Sequence, residues 1–149
     1  MSTPGQAGAA EQLKAARDAV LGQPGLKGAA LREALTDVAD SWLREQLGAA
    51  EGVAVVAVGG YGRREPASGS DLDLVLLHAD GIDATEIANA IWYPIWDAGV
   101  GLDHSVRTVD HAVTVVREDL KAMLGLLDQR FVAGDESLAA ALREAAYVT

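Results

Sequence analysis

The chain has 149 residues, enough for one ordinary domain that buries roughly two thirds of its unfolded surface. It has no cysteine, which excludes disulfides, thiolate zinc sites and cysteine nucleophiles, and its three histidines, His78, His104 and His111, lack the spacing that puts two on one helix face. A formal net charge of -10 and a pI near 4.6 argue against nucleic acid as a partner, and no apolar run approaches a membrane span, so the expected setting is cytoplasmic, with no membrane partner.

Residues 1–9 read as a frayed start. A first helix is expected from about Glu11 to Leu21, stopped by GQPG, and a second from about Lys27 to Leu47, with Leu31, Leu35, Val38, Trp42 and Leu43 on one face. Together they form a helical hairpin over about residues 11–47. VAVVAV, residues 53–58, is short, β-branched and bounded by glycine, which predicts a strand buried on both faces. DLDLVLLH, residues 71–78, predicts a second strand. Asp83 opens D-A-T-E, a capping-box pattern, ahead of a helix that carries Ile87, Ile91, Trp92 and Ile95 inward and ends near Asp97. A third strand is expected from about Val100 to Arg107, with Leu102, His104 and Val106 on one face and Asp103, Ser105 and Arg107 on the other. Thr108 reads as the N-cap of a helix or helix pair reaching about Gln129, and Ser137 to Ala145 as a last helix. The whole predicts a single α+β domain over residues 1–149, in which a small mixed sheet is flanked by helices.

The chemistry concentrates in VGGYGRREPASGSDLDL, residues 58–74. Glycines after a buried strand let main-chain N–H groups approach an anion, although neither familiar phosphate loop fits: no lysine follows these glycines, and Glu65 stands where the dinucleotide fingerprint needs a third glycine. Asp71 and Asp73, two apart on an extended strand, share one face about 7 Å apart along the strand. Two such carboxylates repel unless a hard divalent cation sits between them, and Mg²⁺ suits one or two carboxylates plus substrate phosphate oxygens. A turn ending in which Asp71 caps and Asp73 is solvated is the plainer alternative.

A strand ending in Gly59-Gly60, followed by Asp71-Leu72-Asp73-Leu74 on its neighbour, resembles the DNA polymerase β-like nucleotidyltransferase superfamily. More closely, the blocks GGYGRRE, GSDLDLVLL, WDAGVGLDHSVRT and LLDQRFVAGD, in that order, resemble the nucleotidyltransferase domain of bifunctional PII uridylyltransferase/uridylyl-removing enzymes, with the catalytic core over about residues 53–135. The resemblance implies a polymerase β-like fold and transfer of UMP, or AMP, from UTP or ATP to a tyrosine of the PII signal protein, with release of pyrophosphate by two-metal catalysis. It implies Asp71 and Asp73 as Mg²⁺ ligands and Gly59, Gly60 and Ser70 in nucleotide binding. Arg63 and Arg64 either meet the phosphates or pair on the surface with Glu65. Asp103 fits a third carboxylate by its facing, as a base toward the attacking group, or is an ordinary strand-edge residue. His104, turned the other way, reads as structural, and Trp92 and Trp96 as core. Arg130 and Asp135 either brace the site or are plain architecture. The family's hydrolase and regulatory domains have no counterpart in these residues, so the expectation is an excised catalytic domain; a nucleotide-binding or docking fragment without turnover, or transfer to another acceptor, are the alternatives.

Overall fold

The computed structural model describes residues 4–48, 50–62, 72–118 and 129–148. Among the described residues ten elements follow in order: α1 (Pro4–Leu21), α2 (Gly28–Leu47), β1 (Val53–Ala57), α3 (Gly59–Gly62), β2 (Leu72–His78), α4 (Thr85–Asp97), β3 (Leu102–Thr108), α5 (Val109–Glu118), β4 (Arg130–Gly134) and α6 (Glu136–Val148). Among the described residues they build a four-stranded mixed sheet in the order β3-β2-β1-β4. β1 runs antiparallel to both β2 and β4, while β2 and β3 are parallel. Parallel neighbours need a long crossover, and α4 supplies it. The architecture is the α+β arrangement expected from the sequence.

Central strand β1 explains why VAVVAV carries no polar residue, for all five of its residues are buried. Its alternation serves two cores. Val53, Val55 and Ala57 pack with Leu72, Leu74 and Leu76 of β2 against Leu13 of α1, Leu43 of α2 and Ile91 and Ile95 of α4. Ala54, Val56 and Leu77 face the other way, onto Ala112 of α5 and Leu142 of α6. One sheet face is therefore covered by α1, α2 and α4 and the other by α5 and α6.

Helix α1 begins at Pro4, earlier than the expected Glu11. Gly5 and Gly8 argue against a helix there by propensity, but tertiary packing overrides a weak local preference. Ala9 is buried, and its carbonyl oxygen accepts a hydrogen bond from the Trp42 indole N–H at 2.8 Å, tying this turn to α2. Thr108 caps α5 as expected, its hydroxyl accepting the His111 N–H at 3.2 Å. Hydrogen bonds from Thr85, first from its side chain and then from its N–H at 3.0 Å, hold the Asp83 carboxylate below the usual carboxylate range just ahead of α4.

The structure adds one strand that the sequence reading lacked. Residues 130–134, inside LLDQRFVAGD, form β4 rather than a helix end, and the expected extension of α5 between residues 119 and 128 lies outside the described residues. β4 closes against β1 with an irregularity between Val55 and Val56. It ends at Gly134, whose φ is 96°. Asp135 then caps α6, accepting the Ser137 N–H and, from across the sheet, the Gly52 N–H at 2.9 Å.

At Gly134 a side chain has no room: a Cβ would run into the carbonyl oxygen of Val53 and come within 2.8 Å of Leu47 Cδ2. Gly134→Ala combines that clash with a disfavoured backbone angle and is expected to cost about 2–4 kcal/mol. Thermal unfolding should show the melting temperature lowered by about 5–15 °C for a domain of this size, and an unchanged melting curve would contradict the close approach.

Candidate active site

Gly59, Gly60, Asp73 and Asp103 lie where β1 ends and β2 and β3 begin. Val58 leaves β1 with its N–H donating to the Asp73 carbonyl oxygen at 3.0 Å, and the chain then turns at once into α3, closed by Gly62 N–H to Val58 O at 2.9 Å. Gly59 and Gly60 open that turn, so their N–H groups have no acceptor within it. The next residue, Tyr61, is wholly buried.

Asp73 is half-buried on β2, on the same side of the strand as Val75 and Leu77. Its register partner on β3 is Asp103, and in a parallel pair the partners share a face about 4.8 Å apart. Sequence facing alone put Asp103 with Ser105 and Arg107; the pairing of strands sets it beside Asp73. Leu72 N–H donates to Gly101 O at 2.9 Å, which fixes this register at the point where the strands open toward solvent. Asp71, Arg63, Arg64 and Ser70 lie outside the described residues.

Two carboxylates side by side offer hard oxygen donors and repel one another when ionised. Among the described residues no group of three such side chains converges on a metal position. A pair suffices for Mg²⁺, which commonly takes one or two carboxylates and completes its shell with water and substrate oxygens. Asp73 fits as one such ligand, with the carboxylate of Asp103 beside it.

His104 is turned to the opposite face. Its ring stacks on Trp92 at 4.9 Å and meets the edge of Trp96 at 5.2 Å, so it packs on α4 and stays clear of the carboxylates. The two tryptophans part company here: Trp92 is 3% exposed and belongs to the core, whereas Trp96 is 44% exposed and does not.

A buried polar group stands behind the turn. Asp40 of α2 is 2% exposed, and its carboxylate accepts the Tyr61 hydroxyl at 2.5 Å and Arg130 Nη1 at 2.6 Å. Arg130 Nη2 donates to the Tyr61 carbonyl oxygen at 3.1 Å, and the guanidinium lies 5.1 Å from the centre of the Tyr61 ring. Burial, then the charge of Asp40, pushes the Tyr61 hydroxyl well above its ordinary pKa, with Arg130 opposing, so it stays a neutral donor. Asp40 and Tyr61 escaped sequence reasoning, although one signal was present. Thr36, Asp40 and Leu43 are all buried on α2, and an acid at an apolar-face spacing calls for a buried cation.

Away from this end, an open cavity of about 710 Å³ is lined by Glu51, Gly52, Ile82, Gly134, Asp135 and Glu136. It sits where β1 starts and β4 finishes, at the opposite end of the sheet from Asp73. It holds neither the glycine turn nor the carboxylate pair.

No protein-family model matches the chain. Among curated proteins it is 49% identical over 138 residues to the bifunctional uridylyltransferase/uridylyl-removing enzyme of Streptomyces coelicolor, covering 88% of this chain and 16% of that protein. It is 48% identical over 120 residues to the enzyme of the same name from Mycobacterium tuberculosis, covering 75% of this chain and 15% of that protein. The corresponding Corynebacterium glutamicum enzyme is 48% identical over 92 residues, 62% of this chain. The chain thus spans about one sixth of the length of these relatives.

Breaking the buried pair leaves a charge without its partner, which is far costlier than never having had the pair. Asp40→Ala is therefore expected to destabilise the fold by about 3–5 kcal/mol. Urea unfolding of the variant beside the parent chain measures this; a loss under about 1 kcal/mol would show that the group is well solvated.

Proposed function

Because this chain is homologous to a segment of the bifunctional uridylyltransferase/uridylyl-removing enzymes, we propose that it is a nucleotidyltransferase domain. On this reading it moves UMP or AMP from UTP or ATP to a tyrosine hydroxyl of the PII signal protein. The observation that best supports the reading is the Asp73–Asp103 register pair beside the Gly59–Gly60 turn, at one end of the sheet. An anion-accepting backbone and a cation-demanding pair of acids together suit a metal-bound triphosphate better than either does alone.

The residues divide the work. Gly59 and Gly60 present main-chain N–H groups to the phosphates, with Ser70, Arg63 and Arg64 as further nucleotide contacts. Asp71 and Asp73 would hold Mg²⁺, and Asp103, the register partner of Asp73, would take the proton of the attacking hydroxyl. When bound, the ion neutralises the triphosphate and lowers the pKa of that hydroxyl. The acceptor oxygen forms a bond to the α-phosphorus, the bond to the β-phosphate oxygen breaks, and pyrophosphate leaves with the electron pair.

Transfer of label from UTP and from ATP to PII in the presence of Mg²⁺ tests the reading. Asp71→Asn and Asp73→Asn keep shape while removing charge, and each should lower the rate at least about a hundredfold. Asp103→Asn should lower it about 10²–10⁴-fold if the carboxylate serves as the base. Equal labelling by the folded Asp73→Asn variant would sink the metal-site argument, and pyrophosphate released while PII stays unlabelled would point to another acceptor.

A further inference from the structure

The chemistry proposed above makes no use of the Asp40–Arg130–Tyr61 group, yet that group ends on the glycine turn. Helix α3 has four residues, two of them its opening glycines, and one closing hydrogen bond from Gly62 to Val58. A single turn cannot hold itself, because nucleation fixes several dihedrals for one bond, and glycine loses the most freedom of any residue. Its shape must be imposed from outside.

Tyr61 receives that constraint at three points. Its hydroxyl is bonded to Asp40, its carbonyl oxygen to Arg130, and its ring lies under the same guanidinium. Arg130 is well placed for this, since its register partner on β1 is Ala57, two residues before Gly59. The group is on the face covered by α2, whereas Asp73 and Asp103 are on the other face. It therefore reaches the turn from the face opposite Asp73 and Asp103. Replacing a buried charged group by apolar residues of equal volume is commonly neutral or stabilising.

We infer that Arg130 and Tyr61 are positioning residues for the triphosphate: with Asp40 they lock the backbone of Gly59–Gly62 so that its N–H groups stay aimed at the end of the sheet. The inference rests on the functional reading above. Arg130→Lys keeps the charge beside Asp40 but loses the fork that reaches both the carboxylate and the Tyr61 carbonyl. Tyr61→Phe keeps the buried ring and loses only the hydroxyl.

Two measurements on the full chain separate the inference from the function it rests on. Amide hydrogen exchange without nucleotide should be about tenfold faster at Gly62 in either variant, with β1 and β2 unchanged, as expected for one lost bond to a charged group. Direct titration with UTP and with ATP in Mg²⁺ should show Kd raised about tenfold in the same folded variants. A merely structural role would reduce the amount of folded, binding-competent protein and leave Kd where it was. Unchanged exchange at Gly62, or unchanged Kd, in a folded variant overturns the positioning role while leaving the functional reading intact. Failure of the parent chain to bind either triphosphate overturns the functional reading, and the inference with it.

Discussion

The contact between Asp40 and Arg130 joins three parts of the chain that are far apart in sequence: α2, the start of β4, and, through Tyr61, the turn after β1. Its partners come from residues 21 and 90 positions away from Asp40, so no local propensity brings them together. The apolar layers on both sides of the sheet determine that the strands stack, because burial is non-directional and indifferent to a turn's exact backbone. A short, charged hydrogen-bonded contact is directional, and it is what specifies where the Gly59–Gly62 backbone sits relative to β2. Everything proposed about phosphate binding depends on that placement.

Charge makes the placement matter. The chain carries a formal net charge of -10, and its candidate site gathers two carboxylates, so a triphosphate would approach against the protein's own field. Aimed N–H dipoles and a divalent cation are two means of reversing that sign locally, beside the guanidinium groups proposed for the phosphates. The dipoles do not work with a floppy turn, since they attract an anion only along their direction.

The pattern of strands was legible because the core demands it. VAVVAV has no polar residue for the reason that β1 lies between two others and is covered on both faces. LDLVLLH alternates because Asp73 and Val75 are only half covered while Leu72, Leu74 and Leu76 are buried. Even the facing of Asp103 followed from a period of two. What could not be read was pairing. That Asp103 stands beside Asp73 depends on β2 and β3 being adjacent and parallel, a fact of topology. Strand β4 was hidden because its five residues, RFVAG, are too few to show a period, and Arg130 looks like a helix-end cation until Asp40 is seen opposite. The early start of α1 was masked by Gly5 and Gly8 and is held by Trp42, 33 residues beyond Ala9. Trp96 was placed in the core by its spacing from Trp92, yet it lies where the α4 face turns out toward the edge strand β3.

The central claim is that one end of the sheet, built by the Gly59–Gly62 turn and the Asp73–Asp103 pair, receives a metal-bound triphosphate. Mapping backbone amide shifts on addition of Mg²⁺ and a non-hydrolysable triphosphate tests it most directly. The account predicts the largest changes at Gly59, Gly60, Asp73 and Asp103, absent when Mg²⁺ is withheld. Changes centred instead on Glu51, Gly52 and Asp135, around the cavity at the opposite end of the sheet, would contradict it.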